Sequence, residues 1–211
     1  MKKRVAIVGG AESRRLAPFD DLSWEIWSLN NIYPDIPRRD RWFEIHHIYF
    51  DGLNFYRRGQ KDFRGKPVNN YLEDLSKLNC PIYMQKPWPI IPLSRAFPLQ
   101  EILSKFRRYF TSTIAYMIAM TINERYEEVS IFGVDMGFDD EYANQRPCLE
   151  YLFGIAEGQG IKVNLLDDCP ILKAQRNRLY GFEDSGIDLL KQQLIEKFIL
   201  KGGENVKENK R

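Results

Sequence analysis

The stretch TSTIAYMIAMTINERYEEVSIFGVD, residues 111–135, decides the fold class of this chain. Its first half places three hydroxyl residues before a run of small residues, which predicts a capped helix over 112–124. Its second half, 128–134, is almost wholly apolar, as is typical of a strand covered on both faces of a parallel sheet. The helix start and the strand end belong to the same sheet edge, where open α/β sheets bind nucleotides and phosphorylated ligands.

The rest of the chain continues this alternation, which predicts a doubly wound, mostly parallel α/β sheet of the Rossmann-like class. Prolines at 87, 89 and 92 predict a loop after the fourth strand, because proline cannot donate a ladder hydrogen bond. Strands are expected at 4–8, 24–29, 42–45, 82–85, 128–134 and 161–166, and helices at 69–78, 99–106, 112–124 and 147–157.

Three segments are expected along the chain. Residues 1–175 are predicted to form the Rossmann-like nucleotide-binding domain, 176–200 a C-terminal helical appendage and 201–211 a disordered polar tail. Within the appendage, apolar residues recur at helical spacing along 186–200. That stripe either packs on the domain or supports a homo-oligomer.

The composition excludes several classes of protein. The 211 residues carry 31 Lys and Arg against 29 Asp and Glu, a net charge of +2, which is not the basic surplus of a general nucleic-acid binder. Arginine pairs such as 14–15 and 38–39 are expected to be solvated surface. Three cysteines and two histidines lack zinc spacing, so no metal site is predicted and reduced thiols in a cytoplasmic protein are expected. No run approaches the roughly 20 apolar residues of a membrane span.

Glycine and polar residues follow the first three predicted strands. Glycines let a backbone approach a phosphate, although an ordinary strand-to-helix turn has the same composition. The two asparagines after the second strand and the two histidines after the third either contact a base or sugar or cap turns. Adjacent residues on a strand face opposite ways, so at most one of the two histidines would point into a pocket. The candidates are Gly9, Gly10, Ser13, Asn30 and Asn31 for nucleotide and phosphate, and His46 and His47 for substrate.

A second group of candidates belongs to the opening stretch and its continuation. Ser112 and Thr113 can bind phosphate through the helix N-terminus, although capping alone explains one hydroxyl. Asp135 ends the strand and Glu141 follows in a predicted loop, so both are candidate bases. Further contacts are expected from Tyr142 and Gln145 to substrate and from Arg146 to phosphate.

Five segments, IVGGAES, SLNN, WFEIHH, TSTIAYMIAM and EEVSIFGVDM, resemble in order the bacterial sialyltransferase-like glycosyltransferases, over roughly residues 4–172. The chain is also similar to MptE-like proteins, which include 6-hydroxymethylpterin diphosphokinases, and to phage proteins with a GVDM…EY…QRP…EY segment. The first resemblance implies a sialyltransferase-like fold in which His46 or His47 matches a polar residue after the third strand. It also implies contacts to a CMP-type donor from Gly9, Gly10, Ser13, Asn30 and Ser112.

The resemblance does not supply a catalytic base. Those glycosyltransferases need no metal and use a histidine beyond the GVD-like strand, whereas this chain has no histidine after His47. Asp135 or Glu141 is therefore the expected base, and Tyr142 is the counterpart of tyrosines that contact the donor phosphate.

Three functions follow as hypotheses. The first is a glycosyltransferase that uses a nucleotide sugar as donor. The second is an MptE-like ATP-dependent diphosphokinase, with magnesium held by the acidic loop at 139–140. The third is a non-catalytic nucleotide-binding or sequestering protein, in which the pocket persists without a histidine base.

Overall fold

A seven-stranded parallel sheet organises the first of two compact units, Met1–Ile171 and Leu172–Arg211. The computed structural model describes residues 3–50, 55–56, 71–134 and 140–173, with 49–50, 55–56 and 140–143 as backbone only, and the isolated positions 179, 182, 196, 197 and 199. The apolar stripe predicted within 186–200 lies outside the described side chains. Among the described residues, no helix is long and apolar enough to cross a membrane.

The sheet follows the order β7-β6-β3-β2-β1-β8-β9, with every neighbouring pair parallel. From β1 the chain builds outward on one side, and then crosses back to place β8 on the other side of β1. This reversal creates a topological switch point between β1 and β8. The strands are β1 Arg4–Val8, β2 Trp24–Leu29, β3 Arg41–Glu44, β6 Ile82–Met84, β7 Ser94–Ala96, β8 Glu128–Phe132 and β9 Lys162–Asn164, beside a separate antiparallel pair of β4 Tyr49–Phe50 and β5 Phe55–Tyr56.

Helices flank the sheet and bury its central strands. The helix α3 packs on β1, β2 and β3 and also contacts α2 and α4. Its side chains are largely buried, and Ala115 and Ala119 are fully so. The α-helices are α1 Tyr71–Ser76, α2 Leu99–Lys105, α3 Thr113–Asn123 and α4 Asp140–Gly158, and 3-10 helices cover Glu12–Leu16 and Tyr33–Asp35.

The fold class predicted from the sequence is confirmed, and several element bounds differ. The fourth predicted helix was expected to begin at Pro147, but α4 begins at Asp140 and passes through Pro147, which is exposed. The proline-rich loop was predicted correctly, but the short edge strand β7 directly after it was missed. Its three residues, Ser-Arg-Ala, carry no apolar alternation because this edge strand is largely solvated.

Two of the arginine pairs predicted to be solvated surface each contain one arginine that is buried or half-buried and donates hydrogen bonds to loop carbonyls. Arg14 is only 6% exposed and donates from Nη1 to the backbone oxygens of Gly10 at 2.9 Å and Ala11 at 3.1 Å. Arg38 donates to the carbonyls of Phe19 at 2.8 Å and Trp24 at 2.9 Å. The prediction failed because a guanidinium has five donors and can satisfy several loop carbonyls at once.

The amino edge of the sheet is held by a network of charged side chains around Arg41. Its Nη1 lies 2.6 Å from Glu124 Oε1, its Nε lies 3.3 Å from Glu25 Oε2, and its guanidinium stacks 4.5 Å above the Trp27 ring. Lys3 Nζ adds a second ion pair to Glu124 at 3.3 Å. The network joins the start of β3 to the end of α3, so it fixes the point where the chain leaves α3 for β8.

Replacing Glu124 by glutamine is expected to lower the free energy of unfolding by about 2 kcal/mol, because Arg41 loses a charged partner. Burial acts to raise the Glu124 pKa, but the hydrogen bond and charge of Arg41 outweigh it and hold that pKa below its ordinary value of 4.5. The stabilisation is therefore present above about pH 4.5 and is lost as the pH falls through the folded-state pKa. Urea unfolding across this pH range measures it.

Glu127→Gln is the matched control, since Glu127 is exposed three residues further on. That variant should stay within about 0.5 kcal/mol of the wild type. The ion pair would contribute nothing if both variants lost the same free energy of unfolding. The same conclusion would follow if the difference between Glu124→Gln and the wild type did not become smaller in acid.

Candidate functional site

The two turns at the switch point are in direct backbone contact. Gly9 donates its N–H to the Phe132 oxygen at 2.8 Å, and Ala11 donates to the Gly133 oxygen at 3.0 Å. A Cβ built on Gly9 would lie 2.3 Å from the Gly133 oxygen, and one on Gly133 would lie 2.6 Å from the Gly9 oxygen. Gly133 also has a positive φ of 64°, which glycine adopts without strain. The switch point is therefore filled by the protein's own backbone.

Ser13 and Arg14, in the 3-10 helix after the first turn, make hydrogen bonds that hold the two turns in place. The Ser13 hydroxyl accepts a hydrogen bond from the Gly133 N–H at 3.0 Å, and the Arg14 guanidinium holds the carbonyls of the first turn. Arg14 also lies 3.7 Å from Asp35 Oδ2, which ties the turn to the segment after β2. In this arrangement Ser13 contacts protein, while Gly10 remains exposed at the sheet edge.

Asn30 lies at the carboxyl end of β2 in a left-handed conformation with φ of 55°. Its backbone is fixed at both ends, because its N–H donates to the Phe43 oxygen at 3.0 Å and its oxygen accepts from Trp42 Nε1 at 3.0 Å. Its side-chain Oδ1 is buried and has no hydrogen-bond partner among the described residues. Asn31, next in the chain, is half-buried.

A carboxylate and an imidazole meet at the end of β3, one strand further along the same edge. Glu44 is fully buried, and its Oε1 lies 3.0 Å from the His46 backbone N–H and 2.6 Å from His46 Nδ1. Its Oε2 accepts a hydrogen bond from the Tyr71 hydroxyl. The His46 side chain is 42% exposed, and His47 is exposed as well.

The start of α3 reaches the carboxyl edge because the helix runs antiparallel to the strands. Ser112 is its N-cap and accepts from the Ala115 N–H at 3.2 Å. Thr113 is the first helical residue and is 8% exposed. The Ser112 hydroxyl thus performs capping, and the first backbone N–H groups of the helix remain available to an anion by helix geometry.

The acidic segment after β8 is described only in part. Asp135 lies outside the described residues, and Glu141 and Tyr142 belong to the first turn of α4, where the backbone alone is described. Arg146 is helical and pairs with Glu150 at 2.7 Å, and Gln145 beside it is half-buried. Among the described residues, no group of three His, Cys, Asp or Glu side chains is placed to hold a metal ion.

Sequence reasoning missed Glu44 and Tyr71 as members of this edge. Glu44 is the acidic residue at the end of the apolar run WFE, and its position after two buried aromatics signals a buried carboxylate. Tyr71 gives no such signal, because it lies 27 residues from Glu44 and comes next to it only through folding.

The class of protein defined by this fold is a doubly wound α/β protein with polar side chains gathered at its carboxyl edge. No protein-family model matches the chain, and no curated protein matches it. Among solved structures it is similar to the sialyltransferase CstII from Campylobacter jejuni with the substrate analogue CMP-3FNeuAc (14% identity, 80% of this chain and 81% of that chain, TM-score 0.48).

Two further sialyltransferase structures are similar at the same level. CstII with cytidine-5'-monophosphate is 14% identical over 80% of each chain, with a TM-score of 0.49. The sialyltransferase CST-II with a trisaccharide acceptor and CMP is 14% identical over 80% of this chain and 82% of that chain, with a TM-score of 0.47. Similarity at this level identifies neither a substrate nor a site residue.

Adjacent glycines at the first turn provide a matched pair of variants. Gly9→Ala is expected to lower the free energy of unfolding by about 1–3 kcal/mol, because its Cβ would lie 2.3 Å from a backbone oxygen that cannot move without parting β1 from β8. Gly10→Ala should cost much less, since its Cβ would meet only Ile32 Cγ2 at 3.5 Å. Urea unfolding of the two proteins measures the difference, and equal losses would contradict it.

Proposed function

We propose that the protein is a nucleotide-sugar-dependent glycosyltransferase that binds its donor at the carboxyl edge, beside β1 and β2. The observation that carries this proposal is the buried Oδ1 of Asn30, which has no hydrogen-bond partner among the described residues. An unsatisfied buried acceptor costs about 1–3 kcal/mol, so a protein retains one where a ligand supplies the donor. Both backbone groups of Asn30 are already bonded, so the free acceptor is held in a fixed place.

The chemistry of an amide oxygen defines the part of the ligand it meets. It accepts from an N–H or O–H group, such as the amino group of a base or a hydroxyl of the ribose or sugar. The motif resemblance to sialyltransferase-like glycosyltransferases implies a nucleotide donor and a contact between that donor and Asn30. Sulfate alone would not satisfy Oδ1, because the sulfate dianion carries no donor hydrogen at neutral pH.

The phosphate part of the donor fits the neighbouring backbone groups. The exposed Gly10 turn and the first N–H groups of α3, at Ser112 and Thr113, offer neutral donors and the positive end of a helix dipole. Arg146, in the second turn of α4, would meet the phosphate that departs with the nucleotide, and Gln145 the sugar. These assignments follow the sequence motifs and the order of the elements around the edge.

A ligand screen tests the proposal directly. Thermal unfolding is measured with CMP, UDP, GDP, ADP and their sugar conjugates, with and without magnesium. A ligand at 100 times its dissociation constant stabilises a protein by about 2.7 kcal/mol, which is a readily measured shift. Donor hydrolysis or transfer, followed by release of the free nucleotide, then establishes the reaction.

Each other outcome of the screen points to a different function. Stabilisation by ATP that requires magnesium, with diphosphoryl transfer, would replace the proposal with the MptE-like activity. Tight stoichiometric nucleotide binding with no turnover would identify a sequestering protein. The absence of any nucleotide effect would overturn the binding site itself.

Asn30→Gly is expected to weaken nucleotide binding at least tenfold while changing stability by less than about 1 kcal/mol. Glycine adopts the left-handed backbone of this position freely, and the deleted oxygen makes no hydrogen bond to the described residues. The matched control is Arg125→Gly, because Arg125 has a similar φ of 57° at the opposite, amino edge of the sheet. Calorimetric titration should show unchanged affinity for the control, and equal affinities in both variants would remove Asn30 from the site.

A further inference from the structure

We propose that His46 accepts a proton from the attacking hydroxyl in this site, with Glu44 and Tyr71 as the residues that position it. The inference rests on the proposed function and names a base other than Asp135 and Glu141, the two candidates from the sequence. Its structural basis is the contact of Glu44 Oε1 with His46 Nδ1 at 2.6 Å, made by a carboxylate that has no exposed surface.

Hydrogen bonds from described residues favour the ionised form of Glu44. Its oxygens are approached by a backbone N–H, an imidazole nitrogen and a phenol hydroxyl, all of which can donate. An ionised carboxylate accepts from all three when Nδ1 carries the imidazole proton, whereas a protonated carboxyl could donate only to Nδ1 of the opposite, Nε2–H tautomer. Because burial of a charge is costly, such a carboxylate is retained where its hydrogen bonds compensate for lost water.

The ionised carboxylate determines which nitrogen of His46 carries the proton. Nδ1 donates to Glu44, so in the neutral ring Nε2 bears the lone pair. Nε2 makes no hydrogen bond to the described residues, and the ring is 42% exposed. An imidazole held this way presents an unprotonated nitrogen outward, which is the geometry required of a general base.

The backbone around His46 is also fixed. Gln85, just past the end of β6, donates from Nε2 to the Ile45 oxygen at 2.9 Å. This hydrogen bond holds the peptide group that joins Ile45 to His46. On the other side, Asn30 donates its N–H to Phe43, the residue before Glu44. Neighbouring strands are about 4.8 Å apart, so the imidazole belongs to the edge segment that adjoins the proposed nucleotide contact.

The chemical step balances without any further reactant. The acceptor hydroxyl oxygen forms a bond to the anomeric carbon of the donor sugar, and its proton moves to His46 Nε2. The bond from that carbon to the phosphate oxygen breaks, and its electron pair leaves with the nucleotide phosphate. Glu44 stabilises the imidazolium that forms, since the two groups then carry opposite charges.

The first test measures where the proton resides and needs no substrate. The chain has only two histidines, so the full-length His47→Gln variant leaves one imidazole for nitrogen NMR. Neutral His46 is expected as the Nδ1–H tautomer, opposite to the Nε2–H form that free histidine favours. Observation of the Nε2–H tautomer would overturn the proposal.

The second test separates binding from turnover in the presence of the donor found by the ligand screen. His46→Gln should bind the donor within threefold of the wild type and lower kcat by about 10²–10⁴, the usual contribution of a general base. Tyr71→Phe should lower kcat about tenfold with KM unchanged. Added imidazole should restore turnover to His46→Ala, an effect that a structural role would not produce.

The outcomes distinguish this inference from the proposed function. If the wild type turns over the donor and His46→Gln has the same kcat, the inference is overturned and the proposed glycosyltransferase function stands. A wild type that neither binds nor consumes any donor would overturn both.

Discussion

The close approach of Gly9 and Gly133 is the constraint on which the rest of the structure depends. It brings the turn after β1 against the turn after β8, at the point where the chain reverses its direction of sheet growth. Because the backbones touch, the switch point is closed by protein, and the polar side chains gather on the β2 and β3 side of the edge. The glycines therefore set the location of the site through packing.

Buried charges stabilise this arrangement where apolar packing alone cannot. Arg14 and Arg38 hold loop carbonyls, and Arg41 joins β3 to α3 at the opposite edge. Each guanidinium is surrounded by acceptors, which compensates for its desolvation. Glu44 follows the same rule with donors, but one of its partners, His46, is exposed. That difference turns a structural carboxylate into part of a candidate site.

Much of the fold could be predicted because its signals are local. β1 and β2 were placed at their observed bounds, and α3 was placed within one residue at each end. Each has a clear boundary in the sequence, because Gly follows β1, Asn follows β2 and a hydroxyl residue caps the start of α3. The start of α4 was missed because Pro147, a frequent first-turn residue, lies inside the helix. The arginines were misjudged because their acceptors are carbonyls of loops whose course is not visible in sequence.

The sequence by itself determined the alternation of strands and helices, the parallel sheet and the polar residues that follow each strand, because these depend on composition and spacing along the chain. Only the tertiary structure decided which of those residues contact protein and which keep a free group. Ser13 is used against Gly133, Ser112 caps its own helix, and Asn30 retains an unpaired oxygen among the described residues. Such differences depend on distances between segments far apart in sequence, which folding alone brings together.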